Sequence, residues 1–165
     1  MRAAALTAGL LAGLLLAWLL LAGFLLVGFL LVAARADAQT LVGYTVEGDA
    51  IGAPLTGAPG DAARGAGLVA DRTLSLCVLC HSGLEAPAHM QGNLAPSLAG
   101  IGARLSEGQI RLRIVNMKAL NPESIMPAYG GSSPGARVAN AWRGKPILSG
   151  EEIEDIVAYL SSLKG

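Results

Sequence analysis

Both cysteines of the chain lie in one short motif, Cys77-Val78-Leu79-Cys80-His81. Two thiols three positions apart, on one turn of backbone, can add to the two vinyl groups on one edge of a porphyrin. The residue that follows then points its imidazole at the iron. The motif therefore predicts one covalently attached c-type haem, with thioether bonds from Cys77 and Cys80 and with His81 as an iron ligand.

A C-x-x-C pair also occurs in redox dithiols and in zinc sites. A thioredoxin-like dithiol belongs to a βαβ pattern, which this sequence does not show. A zinc site needs a third and a fourth ligand, and His89 is the one histidine besides His81. Both readings stay open as alternatives to haem, which we favour.

The second iron ligand has four candidates: His89, Met90, Met117 and Met126. The first two follow His81 by eight and nine residues, which makes a crossing to the opposite haem face awkward. Met117 lies on the apolar face of a predicted helix, where a core methionine is the default. Met126 lies in the ligand loop, residues 121–127, whose two prolines prevent it from being helical throughout. A stiff loop can hold a thioether against iron, so we predict Met126 as the second ligand.

An iron-bound imidazole normally donates its other N–H to an oxygen. The carbonyl of Pro96 is well placed in sequence to accept from His81, and a simple turn proline is the alternative. Arg137, Arg143 and Lys145 precede the last predicted helix and are candidates for pairing with haem propionates, with isolated surface charges as the alternative. Trp142 either covers the haem edge or packs elsewhere.

Three predicted helices must position these residues. Asp61 is a good N-cap for a helix over Ala62 to Asp71, which leads to the motif. Gly65 costs this helix up to about 1 kcal/mol, which suggests that another helix crosses closely there. A tolerated weak spot is the alternative.

The second and third helices each begin with a capping box. Ser106 and Gln109 form the first box, and the helix that follows presents an apolar face of Ile110, Ile114 and Met117. Ser149 and Glu152 form the second, before apolar residues at helical spacing: Ile153, Ile156, Val157, Leu160 and Leu163. Glu151, Glu152, Glu154 and Asp155 fill the first turns, where we expect a solvated acidic face that stabilises the helix start.

The N-terminal part of the chain has the character of an export signal. Residues 3–34, 32 in all, carry no charge, and the small residues Ala36-Asp37-Ala38 predict cleavage before Gln39. The stretch is long enough to span a bilayer, so an uncleaved membrane anchor stays open. In either case we expect the remainder of the chain in the periplasm.

The three predicted regions are a leader, 1–38, an irregular arm, 39–60, and a helical domain, 61–165. The arm is rich in glycine and proline, and we expect no core in it. Residues 39–165 carry 10 basic and 11 acidic side chains, which argues against nucleic-acid binding. Both cysteines are used by the haem motif, which leaves none for a disulfide.

Several segments taken in order resemble SoxX, the monohaem subunit of the bacterial SoxAX cytochromes of thiosulfate oxidation. They are 60–65, 77–81, Gln91-Gly92-Asn93-Leu94-Ala95-Pro96, 105–109, 121–127 and Trp142-Arg143-Gly144-Lys145-Pro146. The resemblance runs from about residue 47 to the end. It implies an all-α, class I-type cytochrome c fold, thioether bonds from Cys77 and Cys80, and His81 and Met126 as the proximal and distal ligands. These implied roles agree with those read from the residues themselves.

The resemblance also implies partners. SoxAX joins thiosulfate oxidatively to a cysteine of the carrier protein SoxYZ, and this L-cysteine S-thiosulfotransferase activity is ascribed to the SoxA subunit. The chain would be a non-catalytic subunit that takes electrons from a SoxA-like cytochrome and passes them to a soluble cytochrome. A free or membrane-anchored shuttle is the alternative. The long leader and the glycine-rich segment 130–135 depart from the family pattern.

Overall fold

The computed structural model describes residues 18–21, 43–131 and 143–165. The chain divides into two units, Met1–Ala38 and Gln39–Gly165. Of the first unit, residues 18–21 are described, and they are helical. Within the described parts of the chain, no helix has the length and apolar character needed to cross a membrane.

The second unit is helical. In its described residues, the α-helices are α1 (Ala62–Ala70), α2 (Cys77–Cys80), α3 (Ile101–Arg104), α4 (Glu107–Asn116) and α5 (Gly150–Ser162). Short 3₁₀ turns lie at Ala88–Met90 and Met117–Ala119. The described residues form no strand, apart from an isolated bridge between Glu47 and Ala50. The all-α prediction is confirmed.

The three predicted helix starts are present because local side chains satisfy the free amides of the first turn. The Asp61 carboxylate accepts from the Arg64 amide at 2.8 Å. Ser106 and Ser149 both form complete capping boxes, with Gln109 and Glu152 respectively. Each of these helix starts depends on a contact between two residues three positions apart, so the sequence itself shows both partners.

Helix α5 is the centre of the unit and packs against α1, α3 and α4. At its crossing with α1, a Cβ placed on Gly65 would lie 1.9 Å from the Asp155 carbonyl oxygen. The close crossing predicted at Gly65 is therefore present. At the crossing with α3, a Cβ on Gly102 would lie 2.2 Å from the Ser161 carbonyl oxygen. Glycine allows both approaches because it has no side chain to clash.

The apolar residues of α4 and α5 form most of the core, and α4 is buried more widely than its predicted face. Ile110 and Ile114 are buried as expected, but so are Leu112, Val115 and the charged Arg111. Met117 begins the following 3₁₀ turn and is half-buried.

The expectation of a solvated acidic face on α5 is wrong for Glu154 and Asp155, which are 1% and 5% exposed. Glu154 makes a bidentate ion pair with the equally buried Arg111, whose Nε and Nη2 donate to the two carboxylate oxygens at 2.7 and 2.8 Å. Asp155 accepts from Arg64 at 2.7 and 2.8 Å. The charges along one helix cannot reveal this, because the partners lie 43 and 91 residues away.

The expectation that the arm builds no core is also wrong. Ile51 and Leu55 are 1% and 5% exposed and belong to the core. The Arg111 guanidinium donates to the Ile51 carbonyl at 2.8 Å, and the Leu55 amide donates to Glu154 at 2.9 Å. The described part of the arm is irregular in backbone, as predicted, but the buried ion pair fixes it to α4 and α5.

Candidate functional site

The haem-attachment motif, residues 77–81, sits on the single turn of α2. Leu76 begins this turn in a left-handed conformation, φ 62°, and the His81 amide donates to the Cys77 carbonyl at 2.9 Å. Ser75, just before, is fully buried, and its hydroxyl donates to the Leu68 carbonyl of α1 at 2.6 Å. The motif is thus tied to the end of α1, with both thiols on one turn and His81 immediately beyond it.

A segment without helix or strand, residues 92–98, runs alongside the motif. The amides of Gly92, Ala95 and Leu98 donate to the carbonyls of Val78, Cys80 and Ser82, at 2.7, 2.9 and 2.8 Å. A Cβ on Gly92 would lie 2.0 Å from the Leu79 oxygen, so this approach requires glycine.

The same segment carries the oxygen that orients His81. Nδ1 of His81 lies 2.7 Å from the Pro96 carbonyl oxygen. A carbonyl can only accept, so Nδ1 must carry the proton and Nε2 keeps its lone pair. This is the tautomer that an iron ligand needs.

Cys77 and His81 line an almost wholly apolar cavity with about 620 Å³ of empty space, counted out to its open mouth. Leu98, Ile101 and Leu105 form one part of the wall, and residues of α4 and α5, among them Ile114 and Ile156, form another. A thiol and an imidazole at the edge of an apolar slot match what a covalently held porphyrin requires.

Two of the four candidate second ligands, Met126 and Met117, line this cavity. Among the described residues of its wall, neither His89 nor Met90 is present, and His89 is exposed. The lining of the cavity thus argues against His89 and Met90 as the second iron ligand and leaves Met117 and Met126. The ligand loop is fixed locally, since the Met126 amide donates to the Ser124 hydroxyl at 3.2 Å.

The surroundings of the cysteines do not suit the alternatives to haem. Burial is the main cause that raises the pKa of the Cys77 thiol. A reactive dithiol needs a lowered pKa, because the thiolate is the nucleophile. Among the described residues, no three His, Cys, Asp or Glu side chains are grouped as a zinc site would require. The donor set and the apolar cavity fit haem c.

Sequence reasoning missed Tyr129, a buried residue of the cavity wall. Its hydroxyl donates to the Ser75 carbonyl, and burial, the first cause, raises the pKa of the phenol, so that it remains a donor. It also missed Gln91, whose side-chain amide bonds the amide and carbonyl of Leu84, at 3.1 and 3.0 Å, and closes the loop after the motif. Gln91 does open one of the segments that carry the family resemblance. Nothing in the sequence signals the Tyr129 contact, which joins residues 54 positions apart.

Of the three candidate propionate partners, the structure describes Arg143 and Lys145. Arg143 and Lys145 are exposed, and neither lines the cavity. Arg137 and Trp142, and all but the first two residues of the segment 130–135, lie outside the described residues.

Comparison with known proteins gives first the class of the molecule. The profile of the cytochrome c family matches residues 62–164, and the chain belongs to that family. Haem c is the cofactor that this family indicates.

A solved structure narrows the class. Described as the crystal structure of SoxXA from P. pantotrophus, it is 34% identical, with a TM-score of 0.67. The match covers 74% of this chain and 95% of that chain. It confirms the resemblance to the SoxX-type subunit that the sequence shows. A comparison with curated protein sequences gives no match.

Proposed function

We propose that this chain is the electron-transfer subunit, carrying one haem c, of a periplasmic SoxAX complex that couples thiosulfate oxidatively to a carrier-protein cysteine. The observation that carries the proposal is the cavity: Cys77, His81 and Met126 share its wall, and the Pro96 carbonyl fixes the histidine tautomer. These three side chains would hold an iron porphyrin in the cavity.

Each residue has a defined part in this proposal. Cys77 and Cys80 form the two thioether bonds, His81 is the proximal ligand through Nε2, and Met126 is the distal ligand. When bound, haem c supplies a one-electron couple. A histidine and a methionine together leave no iron position open to a substrate and favour a raised reduction potential. The site is therefore suited to electron transfer and not to sulfur chemistry.

The chain has no group to carry a sulfur substrate, since both of its cysteines belong to the haem-attachment motif. Catalysis would lie with a SoxA-like cytochrome, which hands electrons to this chain, while a SoxYZ-like carrier bears the substrate. A soluble cytochrome would accept the electrons. The similarity to a SoxXA structure, which extends over 95% of the matched chain, supports a SoxA-like partner.

We place the mature protein in the periplasm, with residues 1–38 as leader, 39–60 as arm and 61–165 as the cytochrome c domain. The support is the uncharged N-terminal stretch followed by Ala36-Asp37-Ala38. The mass of the protein purified from the periplasm tests this. A chain that begins at Gln39 is expected, and an intact leader in the membrane fraction would replace cleavage by anchoring.

Co-purification separates a subunit from a free shuttle. A shuttle must leave its partner quickly, so its contact should be small, below about 1,200 Å² in total. A permanent subunit buries more apolar surface, and apolar contacts resist salt screening where charge-steered encounters do not. We expect a stoichiometric complex with a SoxA-like cytochrome that survives gel filtration in high salt. If the chain elutes alone beside an excess of that partner, it is not a permanent subunit, and a free electron shuttle becomes the better account of its function.

A further inference from the structure

Tyr129 spans the space between the two segments that would hold the iron. It follows Met126 by three residues, and its side chain is 4% exposed. Its hydroxyl donates to the carbonyl of Ser75, two residues before Cys77. One buried side chain thus joins the segment just after the ligand loop to the segment just before the haem-attachment motif.

The backbone of Tyr129 is fixed on both sides. Its amide donates to the Ile114 carbonyl at 3.2 Å, one of the carbonyls that the end of α4 leaves free. Its own carbonyl accepts from the amides of Ile147 and Leu148, at 2.9 and 3.1 Å. Tyr129 is therefore a rigid point from which the hydroxyl reaches Ser75.

The segment that receives this hydrogen bond is strained. Leu76 is the one non-glycine residue with positive φ among the described residues, at φ 62°. Such a conformation persists only where its surroundings over-determine it. The Leu76 amide donates to the Asp71 carbonyl at 3.2 Å, and the Ser75 hydroxyl donates to Leu68. The Tyr129 hydroxyl supplies a third contact, and it comes from a residue of the cavity wall.

We propose that Tyr129 is a positioning residue: its hydroxyl holds the haem-attachment motif at a fixed distance from the ligand loop and so keeps Met126 on the iron. This inference rests on the proposed haem ligation. Without the hydroxyl, the loop that carries Met126 and the turn that carries Cys77 can move apart. An external ligand should then displace Met126 more easily, although Met126 itself is unchanged.

The test uses Tyr129→Phe in the full-chain holoprotein, with imidazole as the external ligand of the ferric form. The loss of one hydrogen bond changes an equilibrium constant by about tenfold. Tyr129→Phe should therefore bind imidazole about tenfold more tightly than wild type does. Tyr159→Phe is the matched control. Tyr159 is also 4% exposed, and its hydroxyl also bonds the main chain, accepting from the Glu85 amide at 3.1 Å, but it does not line the cavity. We expect its imidazole affinity to stay within about twofold of wild type, even if its unfolding midpoint falls.

Equal changes in both variants would show a merely structural role and overturn the proposal, as would an unchanged affinity in Tyr129→Phe. A second measurement needs no variant. In the ferrous holoprotein, NMR should show a Tyr129 hydroxyl proton that exchanges slowly with water, and fast exchange would also overturn it. If wild type itself lacks the weak red band of Met-to-iron coordination, then the proposed ligation fails, which is a different result.

Discussion

His81 is oriented by a main-chain oxygen and not by a carboxylate. The Pro96 carbonyl, 2.7 Å from Nδ1, fixes the ring and its tautomer without adding a negative charge. A carboxylate in that place would raise the basicity of the ligand and stabilise the oxidised iron. The neutral acceptor therefore agrees with a site that accepts electrons.

The choice between the two methionines of the cavity gives a prediction. If Met126 is the distal ligand, the oxidised protein should show the weak red band of Met-to-iron coordination, and Met126→Ala should abolish it and lower the potential. Met117→Ala is the matched control, because Met117 lines the same cavity. Visible spectra of both variants decide the matter, and a band that persists in Met126→Ala would move the ligand elsewhere.

Asp155 gives a prediction about pH. Burial acts to raise its pKa, but the hydrogen bonds from Arg64 and from the Asp61 amide outweigh this and hold the pKa below its usual value. Its contribution is therefore fully present above the unfolded pKa, about 3.9, and is lost as the pH falls through the lower folded pKa. Asp155→Asn should cost about 1 to 3 kcal/mol of unfolding free energy at pH 7.

Denaturant unfolding of wild type and Asp155→Asn between pH 7 and pH 2 measures this. The difference between the two proteins should be constant in the neutral range and shrink in acid. A difference that grows as the pH falls would contradict the lowered pKa.

The residues of the site could be predicted where the chemistry is local. The haem-attachment motif is five consecutive residues, and Met126 stands out because prolines stiffen its loop. Tyr129 and the pair of Arg111 and Glu154 could not be predicted, because they depend on contacts 54 and 43 residues apart. A buried ion pair and a surface charge look the same in a sequence until the fold brings the partners together.

At the scale of elements, the same division holds. Capping boxes and N-caps act within one turn, so the starts of α1, α4 and α5 were predictable. The burial of Arg111 on α4 and of Ile51 in the arm could not be predicted. The composition of the arm shows only that its backbone is irregular, whereas the residues that hold it in place lie on α4 and α5.

Two glycines of α1 test the helix crossing. Gly65→Ala places a methyl group 1.9 Å from the Asp155 carbonyl oxygen, so α1 and α5 must separate. The free energy of unfolding should fall by about 1 to 3 kcal/mol or more. Gly67 lies on the same helix with nothing within 4 Å of its added Cβ. Gly67→Ala should stabilise the protein by about 0.5 to 1 kcal/mol. Thermal unfolding of both variants should give shifts of opposite sign, and shifts of the same sign would contradict the crossing.

The buried ion pair tests the anchoring of the arm. Glu154→Leu removes both carboxylate oxygens, so the Arg111 charge stays buried and unpaired and the Leu55 amide loses its acceptor. This change should destabilise the protein by about 3 to 5 kcal/mol and free the arm at Leu55. Limited proteolysis should then cut within 43–60 faster than in wild type. Asp49→Asn is the control, because the ion pair of Asp49 with Arg113 is partly exposed to solvent and should matter little. Equal cleavage of both variants would refute the anchoring role.

At the scale of the whole molecule, residues 39–165 are nearly neutral in charge, and the helical unit contains an apolar cavity. A chain of this size buries proportionately little of its own surface, and the proposed covalently held porphyrin would supply apolar core that the residues lack. On the proposed function, folding, iron ligation and electron transfer would thus depend on the same cavity.

Thiosulfate-dependent reduction of an acceptor cytochrome, with the chain reconstituted beside a SoxA-like subunit and a SoxYZ-like carrier, tests the central claim most directly. We expect turnover when both cytochrome chains are present, and no turnover when either is left out. Full turnover without this chain, or thiosulfate oxidation by this chain alone, would contradict its role as the electron-transfer subunit.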